Sequence, residues 1–216
     1  MNRSLRPLRY LYLYVYLSEH PTMTRYAFLI DTYRTERVKT LSVWSQVPDA
    51  RMEDRLEPRA RSPREQMVHQ CLSEDAWLRS MFGITVAGPP LPAAETRPAF
   101  LEHYARASQD RLSQLEAKDD GWFETEAPFF DVVRPRTWIF TRRLTHSAHH
   151  RAQLQTCLRA WGMALYSNYG PSADTGGLAA NGATVIYRAS SIEALIADVP
   201  GPRLPGPGDK AVTERP

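Results

Sequence analysis

His146-Ser147-Ala148-His149-His150-Arg151-Ala152-Gln153 is the stretch from which the rest of the chain can be read. It lies inside a helical pattern running from about residue 135 to residue 161. A helix turns the chain by about 100° per residue, so His146 and His150, four apart, lie one above the other on a single face. With His146 at zero on the wheel, His150 falls at about 40°, Trp161 near 60° and Leu154 near 80°. Ile139 and Cys157 fall beside the pair, and Phe140 and Leu158 lie a little further round. His149 falls near 300°, towards Arg142 and Thr145, at the polar margin. Two histidines at i and i+4 on an apolar face have two explanations. Either both are satisfied core histidines, or they share a partner that answers both rings, and a metal ion is such a partner. The His-x-x-x-His spacing is the one by which a helix places two imidazoles on one ion.

The remainder of the chain supports a single folded domain. It has 216 residues, 43% of them hydrophobic, enough for a sizeable core. The formal charge is +3, with both signs mixed along the chain, so composition makes no case for nucleic-acid binding beyond a weak nonspecific tendency. Cys71 and Cys157 are the only cysteines; they lie in helical patterns without Cys-x-x-Cys spacing, and read as buried, reduced small hydrophobes. The expected compartment is therefore the cytoplasm. Residues 1–22 stand apart: a basic start and then a run of Tyr, Leu and Val. That run is too short to cross a bilayer and lacks an Ala-x-Ala cleavage site. The expected fold begins at about Met23, after an N-terminal extension.

Four helical patterns follow. The first covers about residues 28–46, with Leu29, Tyr33, Val38, Leu41 and Trp44 on its apolar side and Pro48 beyond its end. Ser62-Pro63-Arg64-Glu65 opens the second with an N-cap serine, a proline at the first helical position and a capping-box glutamate, and Gly83 closes it. On that helix His69 lies beside Val68, Leu72 and Ala76, and Glu65 precedes it by one turn. Glu65 can thus serve the cap, or act as a fourth ligand or a carboxylate that orients the imidazole. A Pro-rich crossover over residues 83–96 leads to the third helix, about residues 98–115, whose lone His103 reads as a surface or half-buried residue. Residues 118–134 read as a loop rich in aromatics, Trp122, Phe123, Phe129 and Phe130 among them, which packs over a bundle end or walls a pocket. The fourth helix carries the three histidines and stops at Gly162. Beyond residue 165 turn-forming residues dominate, with a short extended segment expected over 183–189, a short helix over 191–196 and an extended or disordered tail from Pro200.

With His69 followed by Trp77 on the second helix, and His-x-x-x-His-Arg-Ala-Gln on the fourth, the chain resembles the DinB-like (damage-inducible) family of metalloenzymes over about residues 24–165. Ala152 stands where that family usually has glycine. The resemblance implies an all-α fold, a four-helix bundle with a long crossover connection, formed by residues 23–165, with 166–216 as a loop-rich C-terminal extension. It also implies that His69, His146 and His150 bind a divalent metal ion with at least one position open, which suits zinc; nickel, iron and manganese are also compatible with imidazole ligands.

Two functions from different classes follow. One is a metal-dependent enzyme acting on a small-molecule substrate, either a hydrolase or a thiol-dependent S-transferase using a low-molecular-weight thiol. In it Gln153 would hold a ligand from behind, and His149 or Glu65 would transfer protons. The other is a metal-binding stress or regulatory bundle without turnover. No membrane or nucleic-acid partner is expected, and a homodimer is compatible with either.

Overall fold

The computed structural model describes residues 24–177 and 182–205. The expectation about residues 1–22 falls outside them, as does most of the tail after Pro200. Four long helices dominate: α1 (Ala27–Ser45), α2 (Pro63–Phe82), α3 (Arg97–Glu116) and, after smaller elements, α5 (Arg136–Ala160). α1 packs against α3 and α5, while α2 packs against α5 and, over a shorter stretch, α3. The histidine-bearing helix is thus a neighbour of both α1 and α2.

Local chemistry sets the helix ends. Ser62 Oγ accepts the Glu65 N–H (3.3 Å) and the Glu65 carboxylate accepts the Ser62 N–H (2.9 Å), a complete capping box with Pro63 at the first position. At the other end Gly83 has φ +64°, the left-handed conformation that lets the chain turn back. The Ile84 N–H then reaches the Leu78 carbonyl (2.9 Å), and Ile84 is buried against the helix it closes. Thr96 caps α3, with its hydroxyl accepting the Ala99 N–H.

The aromatic stretch before α5 has more regular structure than a loop. It forms α4 (Asp120–Glu124) and then an antiparallel hairpin of β1 (Glu126–Phe129) and β2 (Val132–Pro135), in register Phe129 to Val132. The hairpin packs on α2 and α5, the two helices that carry the histidines. Asp119 caps α4 through the Trp122 N–H (2.8 Å). Phe123 inserts fully into the core, whereas Phe130 at the hairpin tip stands 72% exposed. Of the two jobs expected of this aromatic run, Phe123 performs the first, packing into the bundle end, while Phe130 stands in solvent.

The core forms two clusters. One gathers Leu41, Trp44, Met67, Phe100, Tyr104, Leu154 and Leu158; the other gathers Leu29, Tyr33, Phe82, Phe123, Ile139 and Phe140. A charged layer joins them. The Glu74 carboxylate, 1% exposed, accepts the hydroxyls of Tyr33 (2.6 Å) and Tyr104 (3.0 Å), one tyrosine from each cluster. Arg111 and Arg143 supply the compensating charge, at 3.5 and 3.2 Å. A second buried pair links Arg151 on α5 to Glu36 on α1.

The segment beyond residue 165 is not a free appendage. Leu165 and Leu195 belong to the first core cluster, and α6 (Ile192–Ile196), capped by Ser191, packs on α1 and α3. The Tyr169 hydroxyl accepts from Arg151 (2.6 Å) and donates to Glu36 (3.1 Å). No strand forms over 183–189; that stretch holds Ser167 through the Ile186 carbonyl (2.8 Å).

Candidate metal centre

His69, His146 and His150 converge. Each offers one ring nitrogen, and the three nitrogens lie within 4.8 Å of one another. The ring centroids of His146 and His150 are 4.5 Å apart, and His69 is 4.5 Å from His150 and 5.4 Å from His146. The wheel accounts for this placement. The buried face of α5 runs through Ile139, Arg143, Ser147, His150, Leu154 and Leu158. His150 lies within it, His146 at its half-buried edge, and His149 is exposed outside it. On α2 the seam is Met67, Gln70, Cys71, Glu74 and Leu78. This corrects the expected company of His69: Leu72 and Ala76 face solvent, and His69 is half-buried at the border of the seam, opposite α5.

The two α5 rings are held from behind. His150 Nδ1 lies 2.9 Å from both Gln66 Oε1 and Gln153 Oε1; amide oxygens only accept, so Nδ1 carries the proton and Nε2 presents a lone pair. Gln66 Nε2 donates to Gln153 Oε1 (2.9 Å), locking the two amides together across the helix pair. Gln153 thus contacts both His150 and Gln66. The amide of Gln66, buried at 5%, had no separate signal except that it precedes His69 by three residues, on the same face.

Arg143 supports the His146 ring. Its Nη1 lies 3.2 Å from His146 Nδ1, and its other contacts are Ser73 Oγ, Ser147 Oγ and Glu74. A guanidinium only donates, so Nδ1 accepts and the ring proton is on Nε2, 3.2 Å from His150 Nε2. The two α5 rings are thus satisfied without an ion by a chain of hydrogen bonds. Binding an ion through His146 Nε2 requires the other tautomer. Arg143 can release the ring, because its three remaining acceptors hold it in place.

The donor chemistry fits a divalent ion. Burial pushes His146 down to about 3, helped by Arg143 and the neighbouring imidazoles. Burial also pushes His150 down to about 4. His69 is lowered too, first by burial and then by the nearby charges of Arg61 and Arg143. All three rings are neutral at neutral pH, the state in which imidazole ligates. His149 stands apart as an exposed group whose Nε2 accepts from Gln153 Nε2 (3.1 Å).

Two other residues have local tasks. The Glu65 carboxylate is taken up by the Ser62 cap and by Arg55, and these hydrogen bonds, the backbone one first, hold it below its ordinary range. It does not join the trio, because its cap position holds it on the first turn of α2. His103 Nε2 contacts the Pro90 carbonyl (3.0 Å) and so fastens the crossover to α3. Cys71 is buried, and burial pushes its thiol up to about 12; Cys157 is raised by burial as well. Neither offers a thiolate.

An aromatic wall borders the site. Trp77 stacks on His146, with centroids 5.4 Å apart and planes 28° apart. Phe129 and Phe130 meet the same indole edge-on at 5.3 and 6.0 Å. Arg143 lies over the Trp77 ring at 5.6 Å.

Among the described residues no helix is long and apolar enough to cross a membrane. Among curated proteins, none matches the sequence. The fold is similar to that of a crystallised DinB-like protein from Bacillus cereus ATCC 10987, with a TM-score of 0.58 and 16% identity, over 64% of this chain and 94% of that one. A sequence model of the DinB superfamily matches residues 32–154, more than half of the chain and a span that includes all three clustered histidines. The chain belongs to the DinB superfamily.

Proposed function

We propose that the protein is a metal-dependent enzyme whose three-histidine centre, best suited to zinc, activates a low-molecular-weight thiol for transfer to an electrophile. The observation that carries this reading is the trio itself: three neutral imidazoles, each from a packed helix, with nitrogens within 4.8 Å and two of the rings only half-buried. A divalent ion held by three imidazoles supplies Lewis acidity, enough to activate a thiol or water near neutral pH.

The chain's own residues favour a thiol over water. Among the described residues no carboxylate joins the trio, so water would lack the acid–base partner that hydrolysis commonly uses. A thiol loses its proton far more readily, and the positive charges of Arg61 and Arg143 near His69 favour an anionic head. In this reading the released proton goes to solvent or to a solvent-exposed base at the rim, for which His149, its ring 5.2 Å from that of His150, is the candidate. Hydrolysis remains the second reading on the same centre, and a metal-holding protein without turnover the third.

The test uses protein purified without a histidine tag, stripped and reloaded with zinc. One zinc per chain is expected for the parent and for His149→Ala. His69→Ala, His146→Ala and His150→Ala should each lose most of it, since two imidazoles hold zinc weakly. Thiol addition to 1-chloro-2,4-dinitrobenzene is then followed with cysteine and glutathione. Retention by His150→Ala with loss by His149→Ala would refute the assignment of ligands, and zinc-loaded protein inert towards every thiol and ester offered would leave the non-catalytic reading.

A further inference from the structure

The hairpin tip carries a residue of the wrong kind for a merely structural turn. Phe129 pairs with Val132, which leaves Phe130 and Asp131 as a two-residue loop. Phe130 has φ +54°. In two-residue hairpins a positive φ at the first loop position belongs to glycine, asparagine or aspartate, because a Cβ there crowds the backbone. A bulky aromatic in that conformation costs stability, and its ring is 72% exposed, so burial does not compensate the cost. Trp138, 44% exposed and edge-on to Phe129 at 5.1 Å, extends the apolar surface. Through Trp77 this surface is continuous with His146: Phe130 meets one side of the indole edge-on and His146 stacks against it.

We infer that Phe130, with Phe129 and Trp77, forms a subsite for a planar apolar arm of the substrate, whose anionic head meets the histidine centre. The inference rests on the metal reading above and adds to it the class of substrate: a small molecule joining a metal-seeking head to an aromatic or similarly flat body. Such an arm covers the exposed Phe130 ring and gains the edge-to-face and stacked contacts that aromatic rings favour. The strain at Phe130 then serves to present the ring beside the centre.

The experiment compares benzohydroxamate with acetohydroxamate, two metal-seeking heads with and without a ring, by calorimetry on zinc-loaded full-length protein. The ring should tighten binding about tenfold in the parent. Phe130→Ala and Phe130→Gly should each cut that preference about fivefold, with zinc per chain and acetohydroxamate affinity unchanged. The glycine variant relieves the backbone, so lost stability cannot account for its effect. If zinc is bound and the preference is the same in parent and variants, the subsite is overturned while the metal centre stands. Failure of both hydroxamates to bind zinc-loaded parent also overturns it. A parent that holds no zinc overturns both. If Phe130→Ala turns a dimer into monomers without moving the preference, the patch is an interface between copies and the subsite is refuted.

Discussion

Glu74→Gln tests whether the charged layer in the core organises the metal centre. Glu74 is 1% exposed and is the shared acceptor for Arg111, Arg143, Tyr33 and Tyr104, with Arg111 and Arg143 themselves 3% and 1% exposed. Burial opposes its charge, yet the two guanidiniums, Arg143 foremost, and the two hydroxyls hold its carboxyl below the ordinary range. Glutamine keeps the shape but removes the charge and points an amide donor at other donors. Breaking a buried pair from one side costs about 3–5 kcal/mol, because the partner charge is left uncompensated. For a domain of this size that is a fall in Tm of about 6–20 °C. The site should respond as well. Arg143 loses its anionic partner and leans on its remaining acceptors, His146 Nδ1 among them, so His146 is less free to take the tautomer that ligates. Urea unfolding of metal-free protein gives the first quantity, and a competitive zinc titration the second, with severalfold weaker binding expected. A stability loss under about 1 kcal/mol together with unaltered zinc affinity would show that the layer is solvated and that Arg143 does not support His146.

Two further outcomes follow from burial. Metal-free protein should lose stability as pH falls below about 6.5: His150 titrates at about 4 when folded against 6.5 when free, so the unfolded chain takes up its proton first. Stability is full above pH 6.5 and drains away as pH falls towards 4, by about 2 kcal/mol at pH 5 from this ring alone; equal urea midpoints at pH 7.5 and pH 5 would refute the burial of a neutral ring. Leu195→Ala should cost about 2–5 kcal/mol, since Leu195 is 1% exposed within the bundle core, and a loss near zero would detach the C-terminal segment from the fold.

The parts of this fold legible in the sequence are those written locally. Ser62-Pro63-Arg64-Glu65 and Gly83 mark α2 because a cap and a left-handed stop are decided within a few residues. The spacing of His146 and His150 is legible for the same reason, and the wheel separates them correctly from His149. What local pattern hides is partnership across helices. Arg143 and Arg151 fall at about 60° and 140° on the wheel, within and beside the apolar arc, but their charge names no partner; each is 1% exposed because a glutamate on another helix meets it. Gln66 gives no sign that it will face His150. The hairpin was hidden by Phe130, which violates the turn chemistry a sequence reading relies on. The core role of Leu165 and Leu195 was masked by the Gly- and Pro-rich segments around them.

The two buried arginines explain how a helix as polar as α5 keeps the histidines in register. Arg143 and Arg151 are eight residues apart, about 12 Å along the axis, and His146 and His150 lie between them. Arg143 is tied to Glu74 on α2, the helix that carries His69, while Arg151 is tied to Glu36 on α1. Apolar contacts between helices tolerate small slides, because one methyl replaces another at little cost. A buried ion pair does not, since a slide of one residue leaves both charges unanswered. The distance from His69 to the α5 histidines is therefore set by the Glu74–Arg143 pin, about one and a half turns from His69 on α2 and about one turn from His146 on α5. The Glu36–Arg151 pin, which Tyr169 also engages, holds α5 against rotation on its other side. On this arrangement the charged layer is the frame of the metal centre, and the C-terminal segment reaches that frame through Tyr169, whose hydroxyl and ring both meet Arg151.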